Sequence, residues 1–150
     1  MSTVQSTSTN WTNWSGLESA TDLEVVQPSG AAEISEVVRR ARDAGRTVKT
    51  AGTGHSFTGI ATPHHVHLRP ERMRGIIAVD RDAMTVTALA GTQLKVFNAE
   101  LAALGLSLHN MGDIAEQTLA GAVSTGTHGT GGRAAGLGAQ VVGVELVTGT

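Results

Sequence analysis

The chain has no cysteine. Disulfides, thiolate metal sites and a cysteine nucleophile are therefore excluded. Aromatic residues make up only 3% of the sequence, which leaves little for base-stacking platforms. Basic charge is not in excess, since 11 Lys and Arg stand against 13 Asp and Glu, for a formal net charge of -2. A general binder of nucleic acid or anionic membrane would need the opposite balance. No run approaches the roughly 18 uninterrupted apolar residues of a membrane span. Residues 1–10 are rich in Ser and Thr, with neither a basic start nor an apolar stretch, so they are not a secretory signal. The cytoplasm is the expected location. The sequons Asn10-Trp11-Thr12 and Asn13-Trp14-Ser15 are read as chance.

Glycine is what the chain has in abundance. It fills 19 of 150 positions, about 13% against a usual ~7%. With 40% apolar and 16% charged residues, the chain as a whole is not disordered. Its length suits one domain that buries about two-thirds of its unfolded surface.

Residues 1–12 read as a disordered tail. Trp11 and Trp14 then stand close together before Ser15-Gly16, as a hydrophobic plug or as an aromatic wall for a planar ligand. Residues 21–27 read as a strand. Pro28-Ser29-Gly30 opens a helix whose apolar stripe is Ile34, Val37, Val38 and Ala41, with Gly45 closing it. Strands are expected at 46–51 and 66–68, and a hairpin over 76–80 and 85–90 turning at Arg81-Asp82-Ala83. Leu94, Phe97, Leu101 and Leu104 mark a second helix ending at Gly105. Residues 106–108 read as extended, 110–138 as a glycine-rich segment and 140–148 as an apolar closing strand. The order indicates an α+β fold.

Two glycine-rich runs carry the chemistry. The first, Gly52-Thr53-Gly54-His55-Ser56-Phe57, follows a strand. Glycines there let backbone N–H groups approach an anion, because no Cβ intervenes. The run is not a Walker A loop, since no Lys-Ser/Thr follows at the required spacing. It is not a Rossmann fingerprint either, since Phe57 stands where the third glycine belongs. A phosphate nest and a plain glycine turn both fit. The second run, Thr118-Leu119-Ala120-Gly121-Ala122-Val123-Ser124-Thr125-Gly126-Thr127-His128-Gly129-Thr130-Gly131, cannot build a core by itself. Its hydroxyls could donate to a large flat ligand lying against the backbone, or it could be a surface loop. His64, His65 and His67 lack the helical spacing of a metal pair and read as a solvated loop, with a metal site as the alternative. His55 and His128 sit among glycines, free to contact something else. No Ser-His-Asp arrangement and no paired carboxylates are evident.

In order along the chain, Asn13-Trp14-Ser15-Gly16, the 52–57 run, Asn110-Met111-Gly112-Asp113-Ile114 and Thr125-Gly126-Thr127-His128-Gly129-Thr130-Gly131 resemble the flavin-binding half of the vanillyl-alcohol-oxidase superfamily. The sugar-1,4-lactone oxidases and alditol oxidases are the branch they resemble most. The resemblance implies an FAD-binding domain over 13–150, made of two small α+β subdomains with the dinucleotide between them. Gly52, Thr53, Gly54, His55, Ser56 and Phe57 would hold the pyrophosphate through backbone amides. His55 would bond covalently to the flavin 8α-methyl, a role a neutral imidazole nitrogen suits. Asp113, Thr118, Gly121, Thr125, Gly126, Thr127 and His128 would line the cofactor. Gly112 would lie beside the flavin ring and leave room for dioxygen. No metal is implied. The partners would be a sugar lactone or polyol and dioxygen or another electron acceptor. Relatives continue into a substrate domain, so the resemblance makes this chain the N-terminal part of a longer enzyme, inactive alone. Its catalytic residues would lie in that further domain. A non-catalytic module with non-covalent FAD stands as the alternative, and a His64/His65/His67 metal protein as a third reading.

Overall fold

The computed structural model describes residues 7–149. They divide into two compact units. The first runs up to Arg72 and takes in the residues from Glu145 onward, and the second is Met73–Val144.

In the first unit, β2 (Ser19–Val26) becomes a strand because Leu23, Val25 and Val26 give it a buried face. The helix α1 (Ala31–Asp43) follows, and β3 (Val48–Thr50) and β4 (Val66–Leu68) complete a parallel set. Glu24 pairs with Val66 across β2 and β4, and Val48 with Val66 across β3 and β4. Val37 and Ala41 of α1 bury against Val26 and Val66, so the stripe read from sequence is the face that meets the sheet. Ser29 donates to the Glu33 carboxylate from its backbone N–H (2.8 Å) and its hydroxyl (2.9 Å). The backbone bond first, then the hydroxyl, holds the Glu33 carboxyl below its ordinary range. Glu24 pairs with both Arg40 and Arg46, tying β2 to the far end of α1.

With β1 (Thr7–Thr12) the sheet order is β1-β2-β4-β3, and β1 corrects the tail reading. Thr7–Thr12 forms an antiparallel strand on the edge of β2, with a bulge between Thr9 and Trp11. Ser and Thr accept extended backbone when a neighbour supplies the ladder, a signal that hydrophobic periodicity does not carry. The rest of the expected tail, residues 1–6, lies outside the described residues.

In the second unit, β5 (Ile76–Asp80) and β6 (Thr85–Ala88) form the expected hairpin. Asp80 Oδ1 accepts from the amides of Asp82 (3.0 Å) and Ala83 (2.9 Å), which builds the turn. The helix α2 (Leu94–Ala103) buries Leu94, Phe97 and Leu101. The glycine-rich segment does more than form a loop. It contains α3 (Leu119–Ser124), and its Ala122 and Leu137 pack with Leu94 as a core. The closing strand is a second correction. Leu137–Gln140 is a 3-10 turn and residues 141–149 have no regular structure, with Val142, Val144 and Leu146 exposed. Alternating apolar residues make a strand only beside a ladder partner, and no described segment pairs there. Residues 106–108 likewise join no ladder.

Thr92 is fully buried between these elements. Its hydroxyl donates to Leu89 O (2.6 Å) and accepts from Gly75 N (2.9 Å). Thr92→Val keeps the shape but strands the Gly75 amide, a loss of about 1–3 kcal/mol. Urea unfolding should show a lower midpoint with an unchanged slope; an unchanged midpoint would show that the pair contributes nothing.

Candidate functional site

The ladder of the first unit ends at Ala51, whose amide reaches Leu68 O at 3.3 Å. Beyond it, none of the amide N–H groups of residues 52–57 donates to a protein acceptor among the described residues. These amides are open to an outside acceptor, as a glycine loop after a strand allows. Gly54 makes the bend at φ +69, where a Cβ would also lie 3.5 Å from Asn13 Cα and from Trp11 Cζ2.

The turn at Asn13-Trp14-Ser15-Gly16 clasps this loop. Asn13 is buried; its N–H donates to Glu18 O at 2.9 Å, and its Oδ1 accepts the Glu18 N–H at 3.1 Å. Asn13 Nδ2 donates to Ser56 O (2.9 Å), and Trp14 N donates to Gly54 O (2.9 Å). No peptide bond here is cis. In a planar trans peptide the N–H points opposite to the preceding carbonyl. Drawing the carbonyls of Gly54 and Ser56 toward the clasp therefore turns the amides of His55 and Phe57 away from it. Asn13 was not among the residues predicted to touch a ligand, although its motif was singled out.

His55 is held on two sides. Its Nδ1 lies 3.0 Å from Thr53 Oγ1. Its ring stacks on Trp14, with centroids 5.7 Å apart and planes 16° apart. Phe57 meets the same indole edge-on at 5.6 Å. Trp14 is 64% exposed, while Trp11 packs against Gly54.

The three clustered histidines separate. His64 and His65 are exposed, and His65 Nδ1 takes the Thr47 amide at 3.2 Å. His67 is 3% exposed in β4, edge-on to Trp11 at 6.2 Å, which corrects its placement in a solvated loop. Among the described residues no group of three His, Cys, Asp or Glu is placed to hold a metal ion. Burial pushes the His67 imidazole below its usual value, opposed by the Ala51 backbone, deepened by Arg69 and opposed by Glu71. Its Nε2 has no hydrogen-bond partner. A depressed histidine is neutral when folded, so the unfolded chain takes up the proton first. The stability is complete above the unfolded value of about 6.5 and falls as pH drops below it. Thermal unfolding at decreasing pH should show this loss, and His67→Leu should flatten it. An equal acid slope in both proteins would assign the loss elsewhere.

In the second unit Thr118 caps α3, accepting the Gly121 amide on its hydroxyl at 3.3 Å. The Thr125 hydroxyl donates to Gly121 O (2.9 Å) and the Thr127 hydroxyl to Gln117 Oε1 (3.3 Å). The amides of Thr125, Gly126 and Thr127 close the end of the helix. The unpaired donors lie one step further on, since the amides of residues 128–131 meet no protein acceptor among the described residues. Asp113 and His128 are exposed, His128 with Nδ1 3.1 Å from Gly129 O.

The profile of a family described as an FAD binding domain matches residues 23–150. The L-gulono-1,4-lactone dehydrogenase of Mycobacterium tuberculosis is 36% identical over 138 residues, which are 92% of this chain and 32% of that protein. The D-arabinono-1,4-lactone oxidase of Eremothecium gossypii is 34% identical over 141 residues, 91% of this chain and 26% of that protein. A solvent-stable cholesterol oxidase superposes with a TM-score of 0.76 at 25% identity, over 85% of this chain and 25% of its own. The chain thus spans a third or less of the curated relatives it matches. No helix among the described residues is long and apolar enough to cross a membrane.

Proposed function

The chain belongs to the FAD binding domain family, and from that premise we propose that it is the FAD-binding portion of an oxidoreductase that oxidises a CH–OH group of a sugar lactone or polyol by hydride transfer to flavin N5. Dioxygen or another acceptor takes the electrons afterwards. The observation that carries this reading is the run of six unpaired amides at 52–57 with an imidazole fixed at its centre. Such a run suits a diphosphate, whose oxygens are acceptors only.

When bound, FAD supplies the two-electron chemistry that no side chain of this protein has. The residues do the rest. The amides of Gly52, Thr53, Gly54, His55, Ser56 and Phe57 hold the pyrophosphate, and the Asn13 side chain and the Trp14 backbone N–H keep those of Phe57 and His55 turned outward. His55 bonds to the flavin 8α-carbon. Asp113, Thr118, Gly121, Thr125, Gly126, Thr127 and His128 line the cofactor, the hydroxyls of Thr118, Thr125 and Thr127 by shaping α3 and the free amides after it by donating. The substrate class is supported by two relatives whose names state lactone oxidation or dehydrogenation.

Protein expressed from its complete reading frame should carry the absorbance bands of a flavin, and anaerobic L-gulono-1,4-lactone or an alditol should bleach them. A colourless protein that takes up no FAD would overturn the cofactor assignment. A flavin that no lactone or polyol reduces would overturn the substrate class.

A further inference from the structure

Trp14 is 64% exposed, and its backbone is anchored. The backbone N–H is tied to Gly54 O at 2.9 Å, and the residue before it is buried and bonded to Ser56 O. The indole is therefore carried by the clasp, not by the core. An exposed tryptophan left in water forgoes much of the stabilisation its burial would bring, so its surface contacts call for a reason. Those contacts are the face of His55, at 5.7 Å and 16°, and the edge of Phe57.

The imidazole needs such a support. A histidine side chain turns about two bonds, and its ring torsion is broad unless neighbours restrict it. Thr53 Oγ1 meets one ring nitrogen at 3.0 Å, and a single hydrogen bond leaves the plane of the ring free to swing about it. The indole face removes that freedom. Together the two contacts fix both the plane of the ring and its direction.

We propose that Trp14 is a positioning residue whose indole face holds the His55 imidazole in the orientation from which it bonds to the flavin. The inference rests on His55 being the attachment residue. An imidazole nitrogen forms the new bond to the 8α-carbon as one C–H bond there breaks. The electron pair of that C–H bond passes into the ring system, which takes up its proton and the imidazole N–H proton. Dioxygen or another two-electron acceptor then restores the oxidised ring.

Truncating Trp14 leaves its backbone bond to Gly54 in place, so cradle and attachment can be separated. The test uses protein from the complete reading frame, prepared under riboflavin limitation and then given FAD. Binding is followed by quenching of flavin fluorescence. Attachment is followed by the flavin that remains in acid-precipitated, washed protein. Trp14→Ala should bind FAD as the wild type does but attach it about 10²-fold more slowly, the scale of a misplacement near 1 Å. Trp14→Phe, which restores an aromatic face, should recover most of the rate. Attachment by Trp14→Ala at the wild-type rate overturns the inference, as does a parallel fall of binding and attachment, or a failure of Trp14→Phe to rescue. If the wild type keeps no flavin through acid, or if His55→Ala keeps it, the His55 reading fails and the inference with it. That outcome is distinct, because it appears without any substitution at Trp14.

Discussion

On the proposed attachment, His55→Ala should bind FAD and release all of it in acid, where the wild type should precipitate yellow. Binding survives because the cradle is backbone. The carbonyls of Gly54 and Ser56 stay tied to Trp14 and Asn13, and the amides of residues 55 and 57 keep their direction. Attachment does not survive, because among the residues of this loop only His55 offers a ring nitrogen. The indole of Trp14 beside it has an N–H but no basic lone pair. Catalysis falls for a different reason. The proposed bond at the 8α-position would be expected to raise the flavin potential, and for a two-electron couple each ~30 mV lost makes oxidation of the substrate about tenfold less favourable. The equilibrium between substrate and flavin should therefore shift toward substrate in the variant, measurable by anaerobic titration. Acid-precipitated His55→Ala protein that stays yellow would show that attachment, if present, is elsewhere.

Where hydrophobic periodicity decides the structure, the sequence was legible. The stripe of α1, the hairpin with its Asp80 turn and the Leu94–Phe97–Leu101 face of α2 all form as their spacing predicts. The parts that were not legible have another cause in common. The strand β1 is Ser- and Thr-rich and owes its form to β2 beside it. The apolar stretch after Gln140 has strand composition but no described neighbour, and it forms none. The helix α3 lies in a run too rich in glycine to show a period. What makes it is the Thr118 cap and the burial of Ala122 on Leu94.

The candidate site divides in the same way. A glycine loop after a strand announces free amides, and residues 52–57 have them. That Asn13 and Trp14 would turn the amides of Phe57 and His55 outward was not readable, because it depends on hydrogen bonds spanning forty or so positions, 43 in the case of Asn13 and Ser56. In the second run the hydroxyls stood out in the sequence, yet those of Thr118, Thr125 and Thr127 are engaged by α3 and its surroundings. Composition counts donors, and only the fold shows which have partners already.

Gly129→Ala produces the largest loss of stability to be expected from a single methyl group in the second unit. A Cβ at Gly129 would sit 2.3 Å from Met111 O and 3.1 Å from Asn110 Oδ1. A contact of 2.3 Å is impossible, and the obstructing atom is backbone, so no side chain can swing aside. The obstructing segment is also anchored. Asn110 Nδ2 donates to Ala135 O (3.1 Å), Asn110 O accepts from Gln140 Nε2 (2.7 Å), and the His109 amide reaches Gln140 Oε1 (2.9 Å). The crossing is close from the other side too, since a Cβ at Gly112 would meet Thr127 Cγ2 at 2.9 Å and His128 O at 3.2 Å. Gly112 thus has a packing reason that is independent of any room for dioxygen. Forcing the two segments apart should cost about 3 kcal/mol, the upper end of overpacking. For a chain of this size that lowers the melting temperature by roughly 6–12 °C. Gly143→Ala is the matched control. Nothing lies within 4 Å of its added Cβ, and losing a glycine there should be neutral or stabilising by up to about 1 kcal/mol. The two variants melting together in far-UV circular dichroism would show that the crossing yields. Because the free amides of residues 128–131 hang on this crossing, Gly129→Ala should also weaken FAD binding at temperatures where the protein is still folded, and Gly143→Ala should leave it unchanged.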